Sequence, residues 1–187
     1  EESITIDIDQ ENTVNIVGVG KLLKSKGFDR ILRITKQLIA ENYSVHTYIL
    51  GEGPEKEALQ NYIKANGLGK NITLLGYQIN PYKYISRCDL FVCASYAEGF
   101  STAATEALIL GVPVCTVEVS GMKEMLGQNN EYGIVTENSE EALYEGIRCL
   151  VKTPELLRHY KKQAITRGSS FSTDQTVKRV EKMLLSL

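Results

Sequence analysis

The sequence lacks the features that mark membrane-spanning, secreted or nucleic-acid-binding proteins. No apolar run approaches the roughly 20 residues of a transmembrane helix, and no signal peptide is visible. The net charge is only −2 at pH 7, which provides no basic field for nucleic acid. These absences predict a cytoplasmic protein with no nucleic-acid partner.

Cysteine and histidine are also sparse, and neither is arranged as a metal site. The 4 cysteines are dispersed without a Cys-x-x-Cys pair, and since most lie in or beside apolar segments we expect buried free thiols in a reducing compartment. The 2 histidines, His46 and His159, fall in a strand and in a polar helix. Asp7 and Asp9 form an Asp-x-Asp pattern in an acidic leader, which we interpret as solvated charge. We therefore expect that no metal or cofactor is required.

The remaining pattern is that of an α/β domain. The chain has 187 residues, of which 43% are apolar, enough to bury a sizeable core. Short apolar runs predict strands over residues 14–19, 45–50, 72–75, 90–94, 112–117 and 133–135, and helical periodicity predicts helices over 30–41, 55–66, 81–88, 102–110, 139–152 and 154–167. This alternation predicts a doubly wound, Rossmann-like parallel sheet.

The expected organisation has three parts. Residues 1–12 form an acidic leader or interdomain segment, residues 13–170 form the Rossmann-like domain, and residues 171–187 form a C-terminal helix that begins at Ser172 or Thr173. Because the first residue is not Met, we expect the chain to be an excised piece of a longer protein.

The loop between the fourth and fifth predicted strands carries the most informative residues. It contains Glu98, Gly99 and Phe100 and leads into a helix that Ser101 or Thr102 can cap. In a parallel α/β sheet this loop lies at the carboxyl end of its strand, where such folds bind ligands. The free amides at the helix start and the helix dipole both favour an anion, which predicts a phosphate here.

Two glutamates bracket this helix start. Glu98 and Glu106 have seven residues between them, and no Ser or Thr three residues before Glu106 can use it in a capping box, so its carboxylate is free for a ligand. A phosphate on the amides, with each carboxylate accepting hydroxyl hydrogen bonds, suits a sugar nucleotide. The alternative is an N-capped core helix with two solvated glutamates.

The run from Glu98 to Glu106, followed by Gly-Val-Pro-Val at residues 111–114, resembles the E-x7-E signature of retaining GT-B glycosyltransferases, especially the large GT4 (group 1) family. The resemblance covers nearly the whole chain and implies the C-terminal, donor-binding half of a GT-B fold. It implies that Glu98 is catalytic and faces the sugar hydroxyls, whereas Glu106 faces the ribose.

The first strand ends in Gly18-Val-Gly20, and the same resemblance places both glycines at the donor. A dinucleotide site is disfavoured because Leu23 stands where a third small residue is needed. The family supplies two cations to the donor diphosphate, and Lys26 matches one of them. Lys21 stands where Arg is usual, so it keeps the charge but loses the bidentate fork. The alternative is that both lysines simply solvate a loop.

Two further loops follow strands on the same rim. Gly51 begins a Gly-Glu-Gly-Pro turn that either approaches the donor or only connects two elements. In the family the loop after the third strand contacts the nucleotide base, which makes Tyr77 and Gln78 candidates for base contact. Tyr77 can equally be a half-buried loop aromatic. Ser120 replaces the first glycine of a usual Gly-Gly pair, which puts close backbone approach there in doubt.

The implied function is donor binding in a retaining transfer of a sugar from a nucleoside-diphosphate sugar, of UDP or GDP type, in polysaccharide, glycolipid or glycoconjugate synthesis. The acceptor-binding N-terminal domain is missing from this chain, which alone is then an incomplete catalytic unit, and any contact with the cytoplasmic face of a membrane would come through that missing half. The alternatives are a nucleotide-sugar epimerase of GT-B architecture and a non-catalytic nucleotide-sugar-binding module.

Overall fold

Strands and helices alternate throughout the computed structural model, which describes residues 12–97 and 99–171. The strands are β1 Val14–Val19, β2 Val45–Leu50, β3 Ile72–Gly76, β4 Leu90–Cys93, β5 Val114–Val117 and β6 Ile134–Thr136. The helices are α1 Phe28–Ala40, α2 Lys56–Ala65, α3 Tyr82–Ile85, α4 Thr102–Ile109, α5 Met122–Leu126, α6 Glu140–Lys152 and α7 Pro154–Ser169. A 3₁₀ turn, Lys24–Lys26, precedes α1.

The strands form one parallel sheet in the order β3-β2-β1-β4-β5-β6. This is the strand order of the Rossmann fold, so the predicted doubly wound α/β architecture is confirmed. The strand order reverses between β1 and β4, and the loops that follow these two strands therefore lie side by side at the carboxyl edge of the sheet. Folds of this kind bind ligands at that point.

The sheet is buried on both faces, which explains why its strands are continuous apolar runs. Ile16 and Val17 are neighbours in β1, yet they belong to opposite core clusters because successive strand side chains point to opposite faces. Leu32 of α1 covers one face and Leu108 of α4 covers the other, and both are fully buried. Each such leucine contributes about 1.5–3 kcal/mol of hydrophobic stabilisation.

Helix α4 begins and ends at residues that the sequence indicates. Ser101, not Thr102, is the N-cap, and its hydroxyl oxygen accepts a hydrogen bond from the Ala104 amide at 3.3 Å. Gly111 follows the helix with φ of +73°, a left-handed conformation that favours glycine, and its amide donates to the Leu108 carbonyl. The loop before α4 therefore enters the helix in a fixed direction.

One described α-helix was not expected from the sequence. Helix α5 has only 5 residues, too few to show a helical period, and its Met122, Met125 and Leu126 are buried in the core cluster that also contains Leu108. Residues 1–11, with Asp7 and Asp9, and residues 172–187, with the predicted terminal helix, lie outside the described residues. The predicted three-part organisation stays a prediction.

The remaining polar and thiol groups have structural roles. An Asp89 carboxylate oxygen accepts a hydrogen bond from the Asn15 amide at 2.8 Å, which joins β4 to β1. Three of the four cysteines are buried as free thiols, and burial raises the pKa of Cys88 to about 12. Cys149 corrects the expectation of burial, because it lies on the exposed side of α6. Among the described residues, no helix is both long enough and apolar enough to cross a bilayer.

Candidate functional site

Two cavities open next to each other at the carboxyl edge of the sheet. The first has a volume of about 280 Å³ and lies between the loop after β1 and the start of α4. The second, of about 550 Å³, lies between the end of β2 and the loop after β3. Val19, Gly20 and Lys21 line both cavities. A single elongated ligand can therefore occupy both, with its middle portion at Lys21.

The first cavity is lined by the start of α4. Phe100, Ser101, Thr102 and Ala103 all contribute to its wall. The Ser101 hydroxyl oxygen accepts a hydrogen bond from the Ala104 amide, and the amides of Thr102 and Ala103 donate none to a described residue. Unpaired amides at a helix start attract an anion. This end of the cavity is therefore suited to a phosphate oxygen.

Two cationic side chains face the same cavity from the other side. Lys21 is exposed and lies two residues after β1, whereas Lys26 is partly buried at the end of the 3₁₀ turn. Gly27 holds that turn close to the loop after β4, since a Cβ at Gly27 would lie 2.0 Å from the Ala94 carbonyl oxygen. The first cavity thus brings two ammonium groups and free helix amides together, which is a cationic site for a polyanion.

The second cavity is mostly lined by residues after β2 and β3. Tyr77 and Gln78 both contribute to its wall, together with Gly51. The Tyr77 side chain is 73% exposed, which rules out the half-buried aromatic that the sequence left open. The Gln78 side-chain amide donates to the Leu75 carbonyl at 2.7 Å and is held against the loop. An exposed ring beside a fixed amide is suited to a planar, polar ligand.

Close backbone approach explains one of the four glycines predicted at the donor, Gly51. Gly51 adopts φ of +146°, and a Cβ there would lie 1.8 Å from the Gly20 carbonyl oxygen, so the ends of β1 and β2 can meet only without that side chain. Gly18 lines neither cavity, and its predicted contact with the donor stays a prediction. Its missing Cβ lies 3.2 Å from the side chains of Ile31 and Phe28, so Gly18 provides room for α1 to pack on the sheet.

Glu106 differs from expectation in one respect, because its carboxylate already has a partner. The Tyr82 hydroxyl donates to Glu106 Oε1 at 3.1 Å, and this hydrogen bond raises the pKa of Tyr82. Glu106 is partly buried on α4 and lines neither cavity, although Pro81, next to Tyr82, lines the second. The second carboxylate oxygen of Glu106 keeps its capacity to accept a hydrogen bond. Tyr82 was missed because its contact spans two separate helices.

The loop before α4 is only partly described. Glu98 lies outside the described residues, so its predicted contact with the sugar stays a prediction. Gly99 lines neither cavity, and a Cβ there would meet nothing within 4 Å. The Phe100 ring is 54% exposed and lies 3.1 Å from where a Cβ of Gly121 would stand, so Gly121 makes room for it. Ser120 is exposed without a positive φ, and its replacement of a glycine causes no backbone strain.

Within residues 12–97 and 99–171, no cluster of three or more His, Cys, Asp or Glu side chains is arranged to hold a metal ion. His46 lies inside the sheet, where its Nε2 is 2.9 Å from the Thr73 hydroxyl oxygen, and His159 lies on α7. Neither histidine lines the two cavities. The described polar groups at the site thus include ammonium groups, amides, hydroxyl groups and the Glu52 carboxylate, which lines the second cavity.

Comparison with known sequences identifies the class of protein. Residues 5–167 match the sequence model of the family described as "Glycosyl transferases group 1". The chain therefore belongs to the group 1 glycosyltransferase family, which confirms the resemblance seen around Glu98 and Glu106.

Two of the relatives are bacterial glycosyltransferases, and one of them is named for lipopolysaccharide core biosynthesis. The chain is 34% identical over 172 residues to the N-acetylgalactosamine-N,N'-diacetylbacillosaminyl-diphospho-undecaprenol 4-alpha-N-acetylgalactosaminyltransferase of Campylobacter jejuni, covering 91% of this chain and 46% of that protein. It is 28% identical over 141 residues to the lipopolysaccharide core biosynthesis glycosyltransferase LpsD of Rhizobium meliloti, covering 75% of this chain and 40% of the relative. The chain thus spans about half the length, or less, of these relatives.

Solved structures share the fold. HepE of Anabaena, solved in complex with UDP, superposes with a TM-score of 0.82 over 94% of this chain and 50% of that one, at 20% sequence identity. TarM of Staphylococcus aureus superposes with a TM-score of 0.78 over 89% of this chain and 34% of that one, at 24% identity. The six-stranded sheet and its flanking helices therefore have the Rossmann-like architecture of GT-B glycosyltransferases.

Proposed function

We propose that this chain is the donor-binding domain of a retaining glycosyltransferase, which transfers a sugar from a nucleoside-diphosphate sugar to an acceptor during polysaccharide or glycoconjugate synthesis. The observation that carries the proposal is the junction of the two cavities at Gly20 and Lys21. One cavity has the groups that suit a phosphate and the other has the groups that suit a base. Their continuity matches a ligand with a diphosphate in its middle.

The donor would lie across both cavities. Its base would stack in the second cavity beside Tyr77 and Gln78, and its diphosphate would lie at Lys21, Lys26 and the first amides of α4. The ribose hydroxyls would donate to Glu106, on the carboxylate oxygen that Tyr82 leaves open. UDP is the nucleotide bound in the HepE structure and is the first one to test, with GDP as the comparison.

The chemistry proposed for these residues is electrostatic. As the sugar leaves, negative charge develops on the departing diphosphate, and fixed amides with nearby ammonium groups stabilise such charge by a few kcal/mol per donor. Lys21 and Lys26 would supply this stabilisation without a metal. Glu98 would orient the sugar through its hydroxyl groups, as the family signature implies.

Calorimetry on the full-length enzyme tests the donor site. UDP or GDP should bind at least tenfold more tightly than the matching nucleoside, with or without a chelator, because only the diphosphate meets the lysines. Lys21→Ala should weaken that binding, whereas Lys64→Ala, at the far end of α2, is the matched control and should not. Equal affinities for nucleoside and diphosphate would disprove the phosphate assignment, and a requirement for metal would disprove the metal-free mechanism.

The two glutamates should affect binding differently. Glu106→Gln removes the charge that strengthens hydrogen bonds from the ribose, and charge-assisted bonds contribute roughly 1.5–3 kcal/mol, so affinity for the bare nucleoside diphosphate should fall. Glu98→Gln should leave that affinity nearly unchanged but weaken the intact donor and slow transfer. If Glu98→Gln weakens the bare diphosphate as much as Glu106→Gln does, with both variants folded, the division of roles is wrong.

Transfer itself would require the second half of a GT-B enzyme. Domain closure excludes water and completes such sites, so residues 1–187 alone should bind donor and transfer almost no sugar. Analysis of the anomeric product by the full-length enzyme tests the retaining outcome. A donor that is epimerised without an acceptor would favour the epimerase, and binding without turnover would favour the non-catalytic module.

A further inference from the structure

We infer that Arg30 and Asn138 are positioning residues that fix the segment before Glu98 through three consecutive backbone carbonyls. The inference rests on the proposed function, since it assigns these residues a role in donor-sugar orientation. Its structural basis lies in a segment without regular secondary structure, residues 94–96, which joins the end of β4 to the loop that carries Glu98.

The carbonyls of this segment are all bonded by side chains from other elements. Arg30 Nη1 donates to the Ala94 carbonyl at 3.3 Å. Asn138 Nδ2 donates to the Tyr96 carbonyl at 3.2 Å and lies 3.5 Å from the Ser95 carbonyl. The contact with the Ala94 carbonyl is buried, that with Ser95 is partly buried and that with Tyr96 is exposed. A buried backbone acceptor needs a partner, and in an irregular segment the sheet cannot supply one. Two side chains from α1 and the loop before α6 take the place of a neighbouring strand.

Arg30 and Asn138 also hold each other. Arg30 Nη1 donates to Asn138 Oδ1 at 2.7 Å, and the Arg30 side chain is only 7% exposed. Its guanidinium carbon lies 3.7 Å from the centre of the Tyr96 ring, a cation–π contact that fixes the ring on the same segment. Burying a guanidinium group costs free energy unless its N–H groups donate hydrogen bonds. The buried Arg30 side chain therefore favours the one arrangement in which its bonds to Ala94 and Asn138 are made.

The opposite side of the segment is held just as closely. The Tyr96 amide donates to the Ser25 carbonyl at 2.8 Å, and the Tyr96 hydroxyl donates to Asp29 Oδ2 at 3.2 Å. Ser25 lies in the 3₁₀ turn beside Lys26. We call the contacts of Arg30, Asn138 and Tyr96 around this segment the Arg30 clamp. The clamp therefore joins the segment before Glu98 to the turn that carries Lys26, which is proposed to bind the diphosphate. Groups that must contact the same sugar nucleotide are thereby held at fixed positions relative to one another.

This clamp has a measurable consequence for catalysis. If residues 94–96 shift, the segment that leads to Glu98 shifts with them, whereas no contact described above links this segment to Lys21 or to the amides of α4. Asn138→Ala should therefore leave affinity for UDP or GDP within about twofold of the parent while lowering kcat of the full-length enzyme about tenfold, since small misplacements of an orienting group are costly.

Asn71→Ala is a matched control, because Asn71 Nδ2 also donates to a backbone carbonyl, that of Val45 at 3.3 Å, but at the amino edge of the sheet. It should leave kcat unchanged. Asn138→Asp is the second variant: it keeps an acceptor for Arg30 but loses the donors to the Ser95 and Tyr96 carbonyls, so kcat should fall as in Asn138→Ala even though the Arg30 contact is retained.

The outcomes separate the inference from the proposed function. If the parent enzyme binds no nucleoside diphosphate, the proposed function fails. If it binds UDP or GDP but Asn138→Ala and Asn138→Asp retain full kcat, or lose diphosphate affinity as much as kcat, the positioning inference is wrong while the donor site stands. Should Asn138→Ala fail to fold, Asn138→Asp alone decides by the same two measurements.

Discussion

Gly27 provides a test of the close contact that shapes the first cavity. Its φ of +66° is left-handed, and a Cβ added there would lie 2.0 Å from the Ala94 carbonyl oxygen. A non-glycine residue in this conformation costs about 1–2 kcal/mol. Relieving the overlap would require the turn and the loop after β4 to separate by more than about 1 Å, and overpacking of this kind typically costs 1–3 kcal/mol.

Replacing Gly67 separates the cost of the left-handed backbone conformation from the cost of the steric overlap. It has almost the same φ, +65°, but a Cβ there would meet nothing within 4 Å. Gly67→Ala should therefore lose about 1 kcal/mol of unfolding free energy, after about 0.4–1 kcal/mol is regained from the restricted unfolded chain. Gly27→Ala should lose about 1–3 kcal/mol more than Gly67→Ala, because only Gly27 carries the steric overlap.

Urea denaturation of the two variants, with m-values compared to those of the parent, measures this difference. Affinity for the nucleoside diphosphate should also differ between the two variants, because the turn that carries Lys26 is displaced in Gly27→Ala and undisturbed in Gly67→Ala. Equal destabilisation of both variants would refute the steric argument. Normal diphosphate affinity in a destabilised Gly27→Ala would show that the contact with Ala94 does not position the turn.

Three other groups give testable predictions. Burial lowers the pKa of His46 below 6.5, so the folded state favours its neutral form; stability should be full above pH 6.5 and decline below it, and His46→Gln should flatten that decline in urea titrations. Tyr82→Phe should weaken nucleoside diphosphate binding about twofold to fivefold in calorimetry, because Glu106 loses its 3.1 Å partner. Arg33→Lys should lower the free energy of unfolding in urea titrations by about 0.5–1 kcal/mol, because Lys cannot make the two-nitrogen contact with Glu140. The loss should be smaller in high salt, since this ion pair is partly exposed.

The fold could be predicted because its strands are buried on both faces. The bounds of β1 and β2 match the apolar runs residue for residue, and Ser101, Ser139 and Pro154 mark helix starts by their chemistry. Local signals suffice where one segment determines its own structure. The short α5 escaped prediction because its formation depends on burial against other elements.

The site could be predicted only in its local parts. Lys21, Lys26 and Thr102 line the first cavity, as their positions after strands and before α4 suggest. Contacts made across the fold carry no local pattern, and they account for what was missed. Tyr82 meets Glu106 from 24 residues away, and the partners in the Arg30 clamp are separated by 108 residues. Only the topology of the sheet brings such residues together.

Lys21 and the amides of α4 differ in how strictly they can orient a phosphate. The amides of Thr102 and Ala103 are fixed by the capped start of α4, so they can impose a geometry on a phosphate. Lys21 is an exposed ammonium on a flexible stem, which supplies charge and imposes little geometry. Because the helix already provides direction, a Lys where the family usually has Arg would keep the contribution that the proposed diphosphate needs most. That contribution is positive charge at the point where the two cavities meet.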